Sequence, residues 1–255
     1  MKTGRRLRRF FSAQPLSGTG ALATLSSEET RHLRTTLRLK IGDRCFVTDG
    51  GGREAEAVIA EFLATGEARV RIETLREAPA SSLKVRIGQA LLQRGVMEDL
   101  VRKAQELGVS GVFPIETERS LKLAPDQRIK MLTRWRKIAA EAAKQSGSLQ
   151  VLEISEPKKC AEVLKEIDPK EQVVFFHPHG EGISFRDWMD SLTMTTLHLF
   201  FGPEGGFSEK EIQSAVQTRL AVGGQKPVFV KLGANILKAD TAFLGVASAL
   251  RFLFS

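Results

Sequence analysis

The sequence predicts an α/β protein: a mostly parallel sheet with helices on both faces, preceded by a small β-barrel domain. Three observations carry this. From residue 83 onward, apolar strand runs alternate with amphipathic helix runs, as crossover-connected parallel strands require. Before residue 78, short segments with period-two alternation are separated by turn residues, the mark of an antiparallel sheet or barrel. Near the C-terminus, two glycine-bearing segments each join an apolar strand to a helix start. The expected division is residues 1–77, a linker at 78–82 (Ala78-Pro79-Ala80-Ser81-Ser82), and residues 83–255.

The elements follow in order. A helix begins near Ser26, which caps it, and Glu29 completes a capping box. Thr30, Leu33 and Leu37 form its buried stripe, and it carries Arg31, His32, Arg34, Arg38 and Lys40. Arg31, Arg34 and Arg38 recur at helical spacing and are expected to share a face. Arg44 to Asp49 reads as a strand ending in an Asp49-Gly50 turn. Glu54 to Phe62 alternates through Ala55, Ala57 and Ile59; after a turn near Gly66, Ala68 to Leu75 alternates through Val70 and Ile72.

Beyond the linker, Leu83 to Leu91 is an apolar strand, and Met97 to Leu107 is a helix that Gly108 ends in the left-handed position. Val109 to Ile115 is the next strand. Asp126, read as an N-cap, opens a helix to Gln145 with Ile129, Leu132, Trp135, Ile138, Ala139 and Ala142 inward and Gly147 at its end. Val151 to Ile154 and Val173 to Phe176 are strands around a shorter helix from Cys160 to Ile167. The last helix, Thr241 to Leu253, is apolar on nearly all sides, which calls for a core position or cover from a second subunit.

At 42% hydrophobic and 27% charged, the 255 residues are those of a globular chain. No apolar run approaches the roughly 20 residues of a membrane span. The basic start lacks an apolar secretion core, so a cytoplasmic protein is expected. Cys45 and Cys160 match no metal or redox spacing and read as reduced structural thiols. Residues 1–40 hold nine Lys and Arg against two Glu, so this stretch carries +7 of the total +8. A solvated basic tail would account for Lys2 to Arg9 alone. Like charges gathered on the helix after Ser26 point further, to a phosphate-backbone partner.

The two glycine segments carry the chemistry. The first is Leu197 to Ser208, with Gly202-Pro203-Glu204-Gly205-Gly206 after the strand; Ser208 and Glu211 form a capping box for the helix that follows. The second is Val228 to Leu237, with Leu232-Gly233-Ala234-Asn235-Ile236-Leu237 and then Lys238-Ala239-Asp240-Thr241-Ala242. Neither matches a P-loop or a Gly-x-Gly-x-x-Gly turn. One such loop is explained by a tight strand-to-helix connection. Two of them, at the carboxyl ends of parallel strands, favour one nucleotide-like ligand held by main chain. His177 and His179 would share a strand face, but two ligands make no zinc site, and no metal is expected.

These two segments, with His32-Leu33-Arg34, Gln89-Ala90-Leu91, Arg94-Gly95, Lys103, Glu106 to Val109 and Trp135 to Ala139, resemble the RsmE-type 16S rRNA (uracil-N3)-methyltransferases of the SPOUT class. The resemblance covers nearly the whole chain. It implies a PUA-like N-terminal domain, a C-terminal domain tied in a trefoil knot, S-adenosylmethionine as cofactor, a homodimer, and 16S rRNA of the 30S subunit as substrate. Cofactor contacts are then expected at Gly202, Glu204, Gly205, Gly206, Leu232, Gly233, Ile236, Leu237 and Thr241, with Phe176-His177-Pro178 as a third surface. RNA is expected over Arg5, Arg9, Arg31, Arg34, Arg38, Arg94 and Lys103. The proton on uracil N3 must leave, and Arg94, Glu204, Lys238 and Asp240 are the catalytic candidates. Asn235, Lys238 and Asp240 stand where the family commonly has Arg, Arg and Glu; Ser148 replaces a usual Arg and Lys144 a usual acid. Two other readings therefore stay open: an RNA-binding assembly factor of this fold without catalysis, and a methyltransferase acting on another RNA nucleotide.

Overall fold

The structure, a computed structural model, describes residues 8–79, 83–177 and 182–254. Expectations for Arg5, for linker residues 80–82, and for Pro178 and His179 fall outside these residues. The chain forms two compact units, Met1–Ala80 with Ala143–Val151, and Ser81–Ala142 with Leu152–Ser255.

The first unit contains β1 (Arg9–Phe11), β2 (Leu22–Leu25), α1 (Ser27–Arg31) running into a π-helical turn (His32–Thr36), β3 (Arg44–Thr48), β4 (Arg53–Phe62) and β5 (Ala68–Glu77). The strand order is β1-β3-β4-β5-β2. β1 joins β3 in parallel and the other pairs are antiparallel. A bridge between Ser12 and Leu25 brings the outer strands together, so the sheet closes into a barrel. Alternation places Ala55, Ala57, Ile59, Val70 and Ile72 inside, around Phe10, Leu33 and Val47. β1 and β2 have three and four residues, too few to show a period in sequence.

The basic helix is shorter than its sequence indicates. Ser26 does cap it, with Oγ accepting the Glu29 N–H at 3.3 Å. Glu29 does not return the bond but pairs with Lys144. After Arg31 the hydrogen bonding widens, with Leu37 N–H reaching His32 O at 3.2 Å, and Arg38 already stands at φ 55°. β-Branched Thr35 and Thr36 weaken the helix, while Leu37 and Leu39 must both turn back to the barrel core. Arg38 therefore does not share a face with Arg31 and Arg34.

The second unit contains β6 (Lys84–Ala90), α2 (Arg94–Glu106), β7 (Gly111–Glu116), α3 (Pro125–Ser146, whose last turn from Ala143 belongs to the first unit), β8 (Glu153–Ile154), β9 (Lys158–Lys159), α4 (Cys160–Glu166), β10 (Gln172–Phe176), β11 (Ile183–Ser184), α5 (Phe185–Asp190), β12 (Thr196–Phe201), α6 (Glu209–Ala221), β13 (Val228–Lys231) and α7 (Ala239–Leu253). The strand order is β11-β13-β10-β12-β6-β7-β8, with β9 also on β7, and every pairing is parallel. Adjacent strands in register stack phenylalanines on both faces. Phe175 lies on Phe200 at 4.7 Å, on the side of Phe207 and Ala215, and Phe176 lies on Phe201 at 4.7 Å, on the side of Phe243 in α7. Each such pair adds roughly 0.5–1.5 kcal/mol beyond its buried area.

Gly108 and Gly147 end α2 and α3 at φ 73° and 80°. α3 begins at Pro125, so Asp126 lies in its first turn and is not the cap. Its buried stripe starts at Leu132; Ile129, expected inside, is 71% exposed. Burial pushes the Cys45 and Cys160 thiols up to about 12, so both stay protonated and inert. Among the described residues no helix is long and apolar enough to cross a membrane.

Candidate functional site

Parallel register sets three strand ends side by side: Phe176 of β10 stands opposite Phe201 of β12 and Val230 of β13. The segments that leave them enclose one cleft. Phe176 and His177 line it from the first, Phe201 to Glu204 and Gly206 from the second, and Val230, Leu232, Gly233 and Asn235 to Leu237 from the third. Ala239 and Ala242 of α7 complete the lining, their small side chains keeping the helix start close. The structure thus brings together nine of the residues the sequence singles out: Phe176, His177, Gly202, Glu204, Gly206, Leu232, Gly233, Ile236 and Leu237. Gly205 and Thr241 are not among the lining residues. Gly205 turns toward Arg119, whose Nη1 donates to its carbonyl at 2.6 Å. Thr241 is exposed, its N–H held by Asp240 Oδ1 at 2.9 Å. The sequence does not mark Pro203 as a contact, nor Phe201, Val230, Ala239 and Ala242, because apolar strand ends and helix alanines look like core.

The glycines are needed for different reasons. A Cβ at Gly202 would stand 3.2 Å from Gly206 Cα and Phe207 N, so backbone packs on backbone there. Gly206 and Gly233 have φ 66° and 100°, which a side chain would strain. The second segment also folds on itself, Gly206 N–H donating to Pro203 O at 2.8 Å. It then enters α6 through a complete capping box, with Ser208 Oγ accepting Glu211 N–H at 3.3 Å and Glu211 Oε2 accepting Ser208 N–H at 2.8 Å. By contrast, the main chain of residues 233–236 makes no hydrogen bond among the described residues. Its polar groups face solvent or a ligand.

Of the four catalytic candidates, only Glu204 lines the cleft. Lys238 occupies the N-cap position of α7 without a side-chain cap bond, and Asp240 lies in the first turn, where a carboxylate complements the helix dipole. Arg94 opens α2, just past the carboxyl end of β6, the neighbour of β12. It binds Glu98 at 3.0 Å, and Arg134 reaches the same carboxylate at 3.2 Å. Hydrogen bonds from Arg94 first, and then Arg134, hold the Glu98 carboxyl below its usual range. Lys103, farther along α2, pairs with Asp99 at 2.6 Å.

A larger cavity, about 660 Å³, lies beyond His177 against Ile212, Val216 and Phe229, with Arg119 and Lys226 at its edge. No glycine of either loop lines it. Size alone would choose this cavity; close backbone approach and unbonded main chain favour the narrower cleft.

In the first unit, Arg31 and Arg34 line a shallow depression with Ser27, Thr35 and Gly66. The Arg34 guanidinium lies 4.9 Å above the Phe62 ring, which holds the exposed side chain. Arg9 is committed elsewhere: its guanidinium pairs with the fully buried Glu54, which also takes Arg76. Arg9 is thus a counter-ion of the barrel interior.

Comparison with known proteins gives the family. Residues 79–251 match the RNA methyltransferase domain family, and residues 25–72 match the RNA methyltransferase PUA domain. Ribosomal RNA small subunit methyltransferase E of Bacillus subtilis is 27% identical over 90% of this chain and 89% of its own. The protein of that name from Synechocystis is 31% identical, over 87% of this chain and 70% of its own. A methyltransferase of Legionella pneumophila, solved in complex with the cofactor SAM, superposes with a TM-score of 0.82 at 27% identity, covering 98% of both chains. By the extent of the matched domain and by these relatives, the chain belongs to the RNA methyltransferase family, with a PUA domain ahead of the methyltransferase domain.

Proposed function

We propose that this chain methylates N3 of a uridine in 16S rRNA of the small ribosomal subunit. The family makes it an S-adenosylmethionine-dependent rRNA methyltransferase; the target atom is the further step. One observation carries the cofactor assignment: strand-end loops after β12 and β13 present backbone and apolar side chains to a single cleft. These residues fit an adenosine moiety, with Phe176, Ile236 and Leu237 against the base and the unbonded main chain of 233–236 as its polar partners. His177, Gly202, Gly206, Leu232 and Gly233 complete the proposed binding set.

S-adenosylmethionine supplies an electrophilic methyl group on a sulfonium, and its transfer needs a nucleophile aligned at about 3 Å. What the chain must add is a destination for the N3 proton and a field that favours the uracil anion. Glu204 is the acceptor we favour, since it alone of the four candidates lines the cleft. Arg94 and Lys238 would offset the charge on the base. Arg31 and Arg34 are the proposed phosphate contacts of the first unit. The knot, the 78–82 domain division and a cytoplasmic setting belong to the same proposal. So does a homodimer, which would cover the exposed Phe252 and Leu253 at the end of α7 (76% and 68% exposed).

The test is isothermal titration with S-adenosylmethionine followed by reaction with 30S particles and mapping of the methylated nucleotide by mass spectrometry. N3-methyluridine in 16S rRNA is expected. Methyl transfer to another nucleotide would correct the target. Cofactor binding with no transfer to any rRNA would favour the assembly-factor reading, which Asn235 in the cleft lining keeps open.

A further inference from the structure

The peptide unit joining Gly205 to Gly206 is held from both sides. Its carbonyl accepts from Arg119 Nη1 at 2.6 Å, and its N–H donates to the Pro203 carbonyl at 2.8 Å. The C=O and N–H of a trans peptide point in opposite directions, so the two bonds together fix the rotation of that plane. The local sequence would not fix it, because glycine lies on both sides of the bond and Pro203 has no N–H to contribute.

Arg119 is itself well placed. It sits in the turn after β7, where Ser120 Oγ accepts the Thr117 N–H at 2.9 Å and the Ser120 N–H returns to Thr117 O at 3.3 Å. Thr117 and Ser120 are both buried. The Glu118 N–H donates to Glu211 Oε1 at 2.8 Å, and the other oxygen of that carboxylate holds the Ser208 N–H. One side chain therefore ties the turn to the start of α6, directly after the glycine loop. A Cβ at Gly205 would stand 3.1 Å from Arg119 Cδ, so Gly205 is the residue that lets the arginine stem lie against the loop.

We infer that Arg119 and Glu211 are positioning residues: they set the plane of the Gly205–Gly206 peptide, and with it the wall that Gly202 to Gly206 presents to the cofactor. Neither lines the cleft. The inference rests on that cleft being the S-adenosylmethionine site. It assigns Gly205 a partner within the protein, and it gives the exposed Glu118-Arg119 dipeptide a role.

Arg119→Ala leaves the carbonyl without its donor and the peptide, flanked by two glycines, held by the Gly206–Pro203 turn bond alone. In ligand-free protein, amide exchange across residues 202–208 is expected to rise about tenfold. S-adenosylmethionine should bind about tenfold more weakly, with kcat at saturating cofactor and the melting temperature little changed. Arg119→Lys, which keeps one donor but not the fork, should recover part of the affinity. Unchanged exchange at 202–208 in Arg119→Ala overturns the inference, and so does faster exchange with unaltered affinity. A wild-type chain that fails to bind S-adenosylmethionine sinks the functional reading instead; the exchange measurement then still decides whether the turn holds the loop.

Discussion

The loop after β12 is tied down along its length, whereas the loop after β13 is held only at its ends. In the first, Arg119 holds the Gly205 carbonyl, Gly206 closes on Pro203, and Glu211 anchors both the start of α6 and the turn at Glu118. In the second, Val230 O accepts from His177 and Lys238 O from Ala242, while the main chain of 233–236 between them makes no hydrogen bond among the described residues. Ile236 and Leu237 there are 71% and 40% exposed. The two segments look equivalent in sequence, glycine after an apolar strand and before a helix. On the proposed cofactor site, this difference would give them complementary roles: one wall preorganised for the ligand, the other ordered when the ligand binds.

The largest effects should fall on the rigid wall. Gly202→Val brings a Cβ to 3.2 Å from Gly206 Cα and Phe207 N, backbone atoms that cannot step aside singly. S-adenosylmethionine affinity should drop by about 100-fold or more in isothermal titration, and stability by about 1–3 kcal/mol in urea unfolding. A variant that binds normally would mean this wall is as pliable as the other. Glu204→Gln probes the same loop without deforming it. The amide keeps the shape and loses the proton acceptor, so kcat should fall about 100-fold with cofactor Kd within a factor of about two. Full turnover in Glu204→Gln would move the acceptor role to Asp240 or away from carboxylates.

The parts of this arrangement that were legible in sequence are those with a period or a local signature. The β4–β5 alternation, the helix ends at Gly108 and Gly147, and the Ser208–Glu211 box depend on neighbours along the chain. The strand-to-helix glycine loops could be placed at the carboxyl end of the sheet because parallel crossovers return every strand to the same end. What could not be read depends on residues far apart. Gly205 looked like a ligand contact because nothing in its own segment announces Arg119. Arg9 looked like a free cation because its acid, Glu54, lies on another strand of the barrel. Arg219 would pass for a surface charge of α6, yet it is fully buried and donates to the Ile167, Asp168, Pro169 and Glu171 carbonyls. The basic helix is shorter than its charge spacing suggests because that spacing carries no information about where Leu37 and Leu39 must pack.

The open wall should respond more gently. Ile236→Ala removes a side chain that is mostly in water in the free protein, so its melting temperature should not move. If the ligand covers that side chain, the truncation forfeits burial of about two to three carbons, roughly 1–2 kcal/mol and thus about five- to thirtyfold in affinity. The diagnostic is the split between the two measurements. A stability loss without an affinity loss would show that Ile236 packs against the protein, and the contrast between the walls would fail.

The smallest effect is expected from cations that belong to neither wall. Arg31 and Arg34 face solvent in the first unit, and the Arg34 stem rests on Phe62. Losing an exposed cation–π contact costs roughly 0.5–1 kcal/mol, too little to disturb the barrel. If each guanidinium meets one phosphate, Arg31→Ala and Arg34→Ala should each lower the slope of log K against log salt by about 0.7–0.9 for rRNA binding, with cofactor affinity unchanged. Arg9→Ala is the counter-case. It leaves the buried Glu54 carboxylate with Arg76 alone, so it should reduce stability while leaving the salt slope in place. A reversed outcome, with Arg9 setting the slope and Arg31 and Arg34 without effect, would move the RNA surface from the helix after Ser26 to β1 and remove that helix from recognition.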